Sequence, residues 1–157
     1  MDKKIPTSAK VVVIGGGIAG CSVAYHLAKF GWKDVVLLER DQLTSGTTWH
    51  AAGLLGQIGA SATITKLRNY SLNLYKELEK ETGIATGLKQ NGSLTIATTN
   101  ERLEELKRQA TFAQRFNIEV DSLDKEQIKD IYSLINVDDI VGGIFIPKDG
   151  QADPVGI

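Results

Sequence analysis

The 157-residue sequence has a single cysteine, Cys21, and only three prolines. One cysteine excludes an internal disulfide and any cysteine-based metal cluster. Charge of one sign is also missing. Eighteen Lys and Arg stand against nineteen Asp and Glu, a formal net charge of −1, without the basic excess expected of a nucleic-acid-binding surface. Apolar runs are short: Val11–Ile14 stops at glycine and Val35–Leu38 stops at Glu39, far below the ~20 residues needed to cross a bilayer. Residues 1–10 carry charge with no apolar stretch of the signal-peptide kind behind them. A soluble, cytoplasmic protein with neither nucleic-acid nor membrane partners is expected. With 42% apolar and 24% charged residues the composition is that of a globular chain, about one domain's worth in length.

Glycine, in contrast, is concentrated. Nine of the 16 glycines lie between Gly15 and Gly59, a density that suggests backbone turning tightly or approaching a ligand closely. Ala9–Ile14 reads as a strand buried on both faces, and Gly15-Gly16-Gly17 ends it. From Ile18 to Phe30 the apolar spacing is helical, and Gly31 stands where a C-terminal cap glycine belongs. Val35–Leu38 is a second buried strand. Strand, helix and strand within about thirty residues form a βαβ unit, whose strands run parallel.

The rest of the chain divides as follows. Asp41 to Gly59 shows no strong period and reads as a functional loop. Ile64, Leu67, Tyr70, Leu74 and Leu78 mark the inner face of a helix closed by Gly83. Gly92–Ala97 reads as a strand. Thr98 and Glu101 have capping-box spacing ahead of a helix with Leu103, Leu106, Ala110 and Ala113 inside. Ser122 is expected to cap a short helix through Ile128, Ile131 and Ile135, and Gly142–Ile146 to form a strand before a turn at 147–150. Asp153-Pro154 has the form of a helix start, with only three residues after it, so a fragment of a longer protein is expected.

Gly15-x-Gly17-x-x-Gly20 follows a strand and opens a helix, the context in which this spacing binds a dinucleotide. Gly15 permits the tight turn, Gly17 lets the backbone approach a pyrophosphate, and Gly20 allows helix and strand to pack closely. Free N–H groups at the helix start then face the phosphates. Glu39, nineteen residues after Gly20, ends the second strand, where its carboxylate can accept from a ribose diol and would repel a 2′-phosphate. The plain alternative is a glycine-rich turn with no ligand. The fingerprint by itself suits NAD as well as FAD.

The following loop, Thr44-Ser45-Gly46-Thr47-Thr48-Trp49-His50-Ala51-Ala52-Gly53, resembles that of the dimethylglycine and sarcosine dehydrogenases, members of the glycine-oxidase-like (D-amino-acid-oxidase-type) flavoprotein superfamily. The resemblance is close over residues 10–57 and returns in Pro147-x-Asp149-Gly150 and Asp153-Pro154. Between about 60 and 140 it extends only to the order of elements. It implies an α/β fold: a Rossmann-like FAD-binding βαβ unit (residues 1–60), a connecting helix (61–87), the start of an inserted α+β substrate domain (88–147) and re-entry into the FAD domain (148–157). It implies FAD bonded covalently, through the 8α-methyl carbon, to the histidine of this loop, which falls on His50. The implied activity is oxidative demethylation of N-methylglycine-type amines by hydride transfer to flavin. The resulting imine or iminium is hydrolysed to formaldehyde, or captured by tetrahydrofolate in longer members. An electron-transfer flavoprotein is an implied partner, and the mitochondrial matrix an implied location for a eukaryotic, processed form. Residues recognising the substrate carboxylate are expected beyond Ile157, so this stretch alone is expected to be inactive.

The candidate cofactor-binding set is therefore Gly15, Gly17, Gly20, Glu39, Arg40, Ser45, Thr47, Thr48, His50 and Gly53, with no catalytic residue or metal ligand assigned. Read from its residues alone, the loop offers short hydroxyl side chains suited to a polar cofactor, and a neutral imidazole is a competent nucleophile. A lone histidine is otherwise more often a solvated ring, and Trp49 is equally explained as core. Two other functions stay open. One is a non-catalytic regulatory subunit of the same superfamily, such as that of pyruvate dehydrogenase phosphatase, a group that lacks the loop histidine. The other is a NAD-binding module, which leaves the loop unexplained. His26 and Cys21 read as packing residues, Tyr70, Tyr75 and Leu78 as helix core, and 101–108 as a solvated helix face.

Overall fold

The computed structural model describes residues 6–157, so the first half of the charged opening stretch lies outside the described residues. The chain divides into two compact units, residues up to Ala52 together with Ile157, and residues 53–156.

The first unit is the expected βαβ. Strand β1 (Val11–Ile14) pairs in parallel with β2 (Val35–Leu38), in a register that sets Val11 beside Val35 and Ile14 beside Leu38. Helix α1 (Ile18–Lys29) connects them. Gly31, at φ +86°, follows the C-cap Phe30 and donates to the Ala28 carbonyl, as a helix-ending glycine does. The two strands are not buried on both faces. Val11 and Val13 are half-buried, whereas Val12 and Ile14 are 49% and 85% exposed. A two-stranded sheet with its one helix on one side leaves the other side open, whatever the strands' hydrophobicity. The loop after β2 is not wholly irregular either. Thr48–His50 forms a 3-10 turn.

The second unit is mixed α+β. Strand β3 (Leu54–Leu55) pairs antiparallel with β7 (Gly150–Gln151), and β4 (Ser93–Ala97), β6 (Gly142–Ile146) and β5 (Asp121–Leu123) form an antiparallel sheet with β6 in the centre. Helix α3 (Asn100–Gln114) lies on this sheet, where Leu106 closes on Ala97 and Ile144, and Ala113 closes on Ile118 and Ile146. Helix α4 (Lys125–Ile131) contributes the buried Ile128. Two helix starts differ from expectation. The N-cap of α3 is Thr99, not Thr98, its hydroxyl accepting from Arg102 N. That of α4 is Asp124, not Ser122, because Asp124 and Gln127 make a reciprocal capping box while Ser122 is taken up in β5.

Helix α2 (Ala62–Thr82) is capped by Ser61 and ends at Gly83, φ +72°. Its buried positions are Thr65 and Leu72, whereas Ile64, Leu67 and Tyr70 are 40–57% exposed. The buried Thr65 hydroxyl accepts from Gly59 N at 3.0 Å, which is what allows a polar side chain to occupy the inner face.

Candidate functional site

The glycine turn of the first unit is shaped by contacts that a side chain would block. Gly15 is at φ +103°, a conformation that L side chains rarely adopt. A Cβ on Gly20 would overlap the Gly15 carbonyl oxygen, so helix and strand approach here only without one. A Cβ on Gly17 would meet Thr48 Oγ1 at 2.9 Å. Gly16, the unassigned middle position of the fingerprint, is as restricted: its Cβ would lie 2.6 Å from Leu43 Cδ2 and 3.0 Å from Glu39 Cβ. The signal for Gly16 was present in the sequence as the middle glycine of an unbroken run of three.

Glu39 is held by the turn it follows. Gly16 N donates to Oε2 at 2.6 Å, and Arg40 N and Asp41 N donate to Oε1 at 2.6 and 3.0 Å. These backbone donors, Asp41's foremost, hold its carboxyl below the usual carboxylate range. The acid therefore locks β2 to the glycine turn. The Arg40 side chain itself is exposed beside Asp41, 3.5 Å away.

The loop after Glu39 folds back on the start of α1. Thr44, at φ +68°, donates its N–H to Gly16 O at 2.9 Å. Gly17 is the N-cap of α1 and has no side chain to cap with. The buried Thr48 hydroxyl takes that role, accepting from Ile18 N at 3.1 Å. With Gly16 N and Ile18 N so engaged, the N–H groups of Gly17, Ala19 and Gly20 have no acceptor among the described residues. Unengaged donors at the positive end of a helix dipole suit an anionic group. Thr48 as a cap thirty residues away in sequence has no local signature.

Thr47 precedes the 3-10 turn and is exposed, and its carbonyl accepts from His50 N at 3.2 Å. His50 is exposed. Its Nδ1 lies 3.2 Å from Gly46 O, and since a carbonyl only accepts, the neutral ring carries its proton on Nδ1 and its lone pair on Nε2. Trp49 is not core. It is 55% exposed, donates Nε1–H to Ser45 O at 3.1 Å and stacks on His50 with ring centroids 3.7 Å apart. Gly53 lies in the second unit, at φ +70°, where its carbonyl accepts from Ala152 N and a Cβ would overlap Ala152 O. Cys21 is half-buried, its thiol donating to Gly16 O.

Among the described residues no group of His, Cys, Asp and Glu could hold a metal ion, and no helix is long and apolar enough to cross a membrane.

A glycine turn opening on a helix N-terminus, an acid at the end of the second parallel strand, and a folded-back hydroxyl-rich loop define a dinucleotide-binding βαβ unit. The comparisons make the class specific. The sequence profile of the family described as FAD dependent oxidoreductase matches residues 10–156, and the chain belongs to that family. Sarcosine dehydrogenase, mitochondrial, of Homo sapiens is 46% identical over 98% of this chain and 17% of its own length. The mitochondrial pyruvate dehydrogenase phosphatase regulatory subunit of Mus musculus is 43% identical over 92% of this chain and 16% of its own length. Among solved structures, L-proline dehydrogenase from P. horikoshii superposes with a TM-score of 0.87 at 29% identity, covering 96% of this chain and 39% of that one. The chain thus spans about 17% of the length of the curated relatives it resembles.

Proposed function

We propose that this chain is the FAD-anchoring segment of an oxidase or dehydrogenase of N-methylglycine-type amines, and that His50 is its point of covalent attachment. The observation that carries this reading is the state of His50. Its Nδ1 is tied to Gly46 O, its Nε2 lone pair is left available, and it sits two residues after the threonine that caps α1.

The residues present fit FAD. The turn at Gly15, Gly17 and Gly20 provides an approach that side chains would fill, and the N–H groups of Gly17, Ala19 and Gly20 accommodate the pyrophosphate. Glu39 accepts from the ribose diol, with Arg40, Ser45, Thr47 and Thr48 bordering the same turn. Bound FAD supplies a two-electron acceptor for the hydride of an N-methyl carbon. His50 Nε2 would hold the group through a C–N bond to its 8α-methyl carbon, for which one methyl proton, the Nδ1 proton and two electrons would leave to dioxygen as hydrogen peroxide. Gly46 O, 3.2 Å from Nδ1, would keep that ring proton in place until then.

By the same reading the substrate is a small N-methylated amino acid. The electrons pass to an electron-transfer flavoprotein, and tetrahydrofolate takes up the one-carbon unit if the full protein has the folate-binding part of the longer family members. The cytoplasm, or the mitochondrial matrix of a eukaryote, is the fitting compartment.

The test uses the native full-length protein, precipitated with acid and washed, beside His50→Ala. Flavin retained in the pellet of the first and released from the second is the expected result. Flavin released from both would remove the covalent role and leave a non-covalent FAD site. No flavin in either would favour the regulatory-subunit reading, to which a similarity of 43% identity also points.

A further inference from the structure

We infer that Trp49 is a positioning residue for the attachment chemistry, an indole platform that sets the plane of the His50 ring. The inference rests on His50 being the attachment point. An exposed imidazole with one hydrogen bond of 3.2 Å is free to rock about its terminal torsion, because one contact at Nδ1 fixes a point and not a plane. The stacked indole supplies the plane: its centroid is 3.7 Å from that of His50, with 34° between the rings. The indole is itself anchored, since its Nε1–H donates to Ser45 O at 3.1 Å. Both rings therefore reach back four residues to consecutive carbonyls, Trp49 to Ser45 and His50 to Gly46, across the 3-10 turn Thr48–His50. The stacked pair is thus tied to two adjacent peptide groups.

An aromatic side chain 55% exposed on a polar loop gains little from burial. What it gains is the stacking contact, so its role here is orientation of its neighbour. The bond formed is the His50 Nε2–C bond described above, with the same protons and electrons leaving. Trp49 makes no bond and moves no proton. It raises the fraction of time that Nε2 points along one direction, which speeds a step limited by alignment.

The full-length protein is prepared without flavin and mixed with FAD in air, and acid-stable flavin is followed against time. The variants are Trp49→Leu, which keeps bulk but has no aromatic face, and Trp49→Phe, which keeps the face but has no N–H. Attachment is expected about tenfold slower in Trp49→Leu, the size of one aromatic pair, and within a few-fold of the parent in Trp49→Phe. Non-covalent FAD affinity, measured with His50→Ala as background, is expected to be equal with Trp49 and with Leu at that position. Attachment in Trp49→Leu at the parental rate would overturn the inference. So would a parallel loss of FAD affinity in the double variant, which would make Trp49 a structural residue of the loop. Absence of acid-stable flavin in the parent would overturn the His50 reading and this one with it, a result distinct from the other two.

Discussion

The two units are organised by different means. Every buried apolar side chain among the described residues belongs to the second unit, where Ala97, Leu106 and Ile144 form one cluster and Ala113, Ile118 and Ile146 another. Among its described residues the first unit has none; α1 contains no buried residue, and the one buried side chain described there is that of Thr48. In place of a side-chain core it has backbone contacts: Gly20 against the Gly15 carbonyl, three N–H groups on Glu39, and Thr44 N on Gly16 O. Packing specifies a unit by volume. Backbone contacts specify it by position, which is what a site that must present N–H groups to a ligand requires.

That contrast is broken most strongly by one substitution in each unit. Gly20→Ala inserts a methyl group into a rigid carbonyl, and overpacking against backbone costs about 3 kcal/mol. Its expected readout is FAD affinity, lower by about two decades, with little change in the melting of the second unit. Leu106→Ala empties a fully buried position, at a cost of about 3 kcal/mol. Its expected readout is the melting of the second unit, with FAD affinity retained. Isothermal titration with FAD in a His50→Ala background and calorimetric melting of both full-length variants check the pair. If each variant moved both readouts equally, the division into two differently built units would be wrong.

Much of the first unit was legible because its determinants are local. The glycine spacing, the β-branched run before it and the acid nineteen residues on all lie within thirty residues, so the parallel pair, α1 and its glycine stop follow from the order of residue types. What escaped depends on partners distant in sequence. Thr48 as the cap of α1 and Gly16 against Leu43 arise only once the loop folds back. In the second unit, Asp149 is buried because Gln57 N, 92 residues away, and Ser93 Oγ, 56 residues away, donate to its two oxygens at 2.7 and 2.6 Å. Strands β3 and β7 have two residues each, too short to show any period. The inner face of α2 was misread because Thr65 is buried through a hydrogen bond, and hydrophobicity carries no record of that.

The acid that locks the first unit makes the comparison pH-dependent. Backbone N–H groups favour ionised Glu39, so its folded value lies below the ordinary 4.5. The lock is then fully present above pH 4.5 and is lost as pH falls through the lower folded value. With Glu39 intact in a His50→Ala background, FAD affinity is expected to decline across that acid window, with the second unit's near-ultraviolet circular dichroism changing less. Glu39→Gln brings an uncharged amide, one of whose faces donates where three N–H groups need acceptors. It is expected to bind FAD more weakly at pH 7, and to lose the part of the acid decline that belongs to Glu39. An unchanged decline in the variant would assign it to other carboxylates.

The smallest expected effect sharpens the contrast by removing packing from it. Gly31 in the first unit and Gly83 in the second both end helices at positive φ, +86° and +72°, and a Cβ on either would meet nothing within 4 Å. Alanine at either position therefore meets only the backbone strain of the left-handed region, about 1 kcal/mol. Because neither a core nor a ligand contact is involved, the two costs should be equal despite the different construction of the units. Chemical denaturation of Gly31→Ala and Gly83→Ala measures them. A cost several-fold greater at Gly31 would mean that the first unit, lacking a buried apolar core, transmits strain at the end of α1 to the glycine turn at its start.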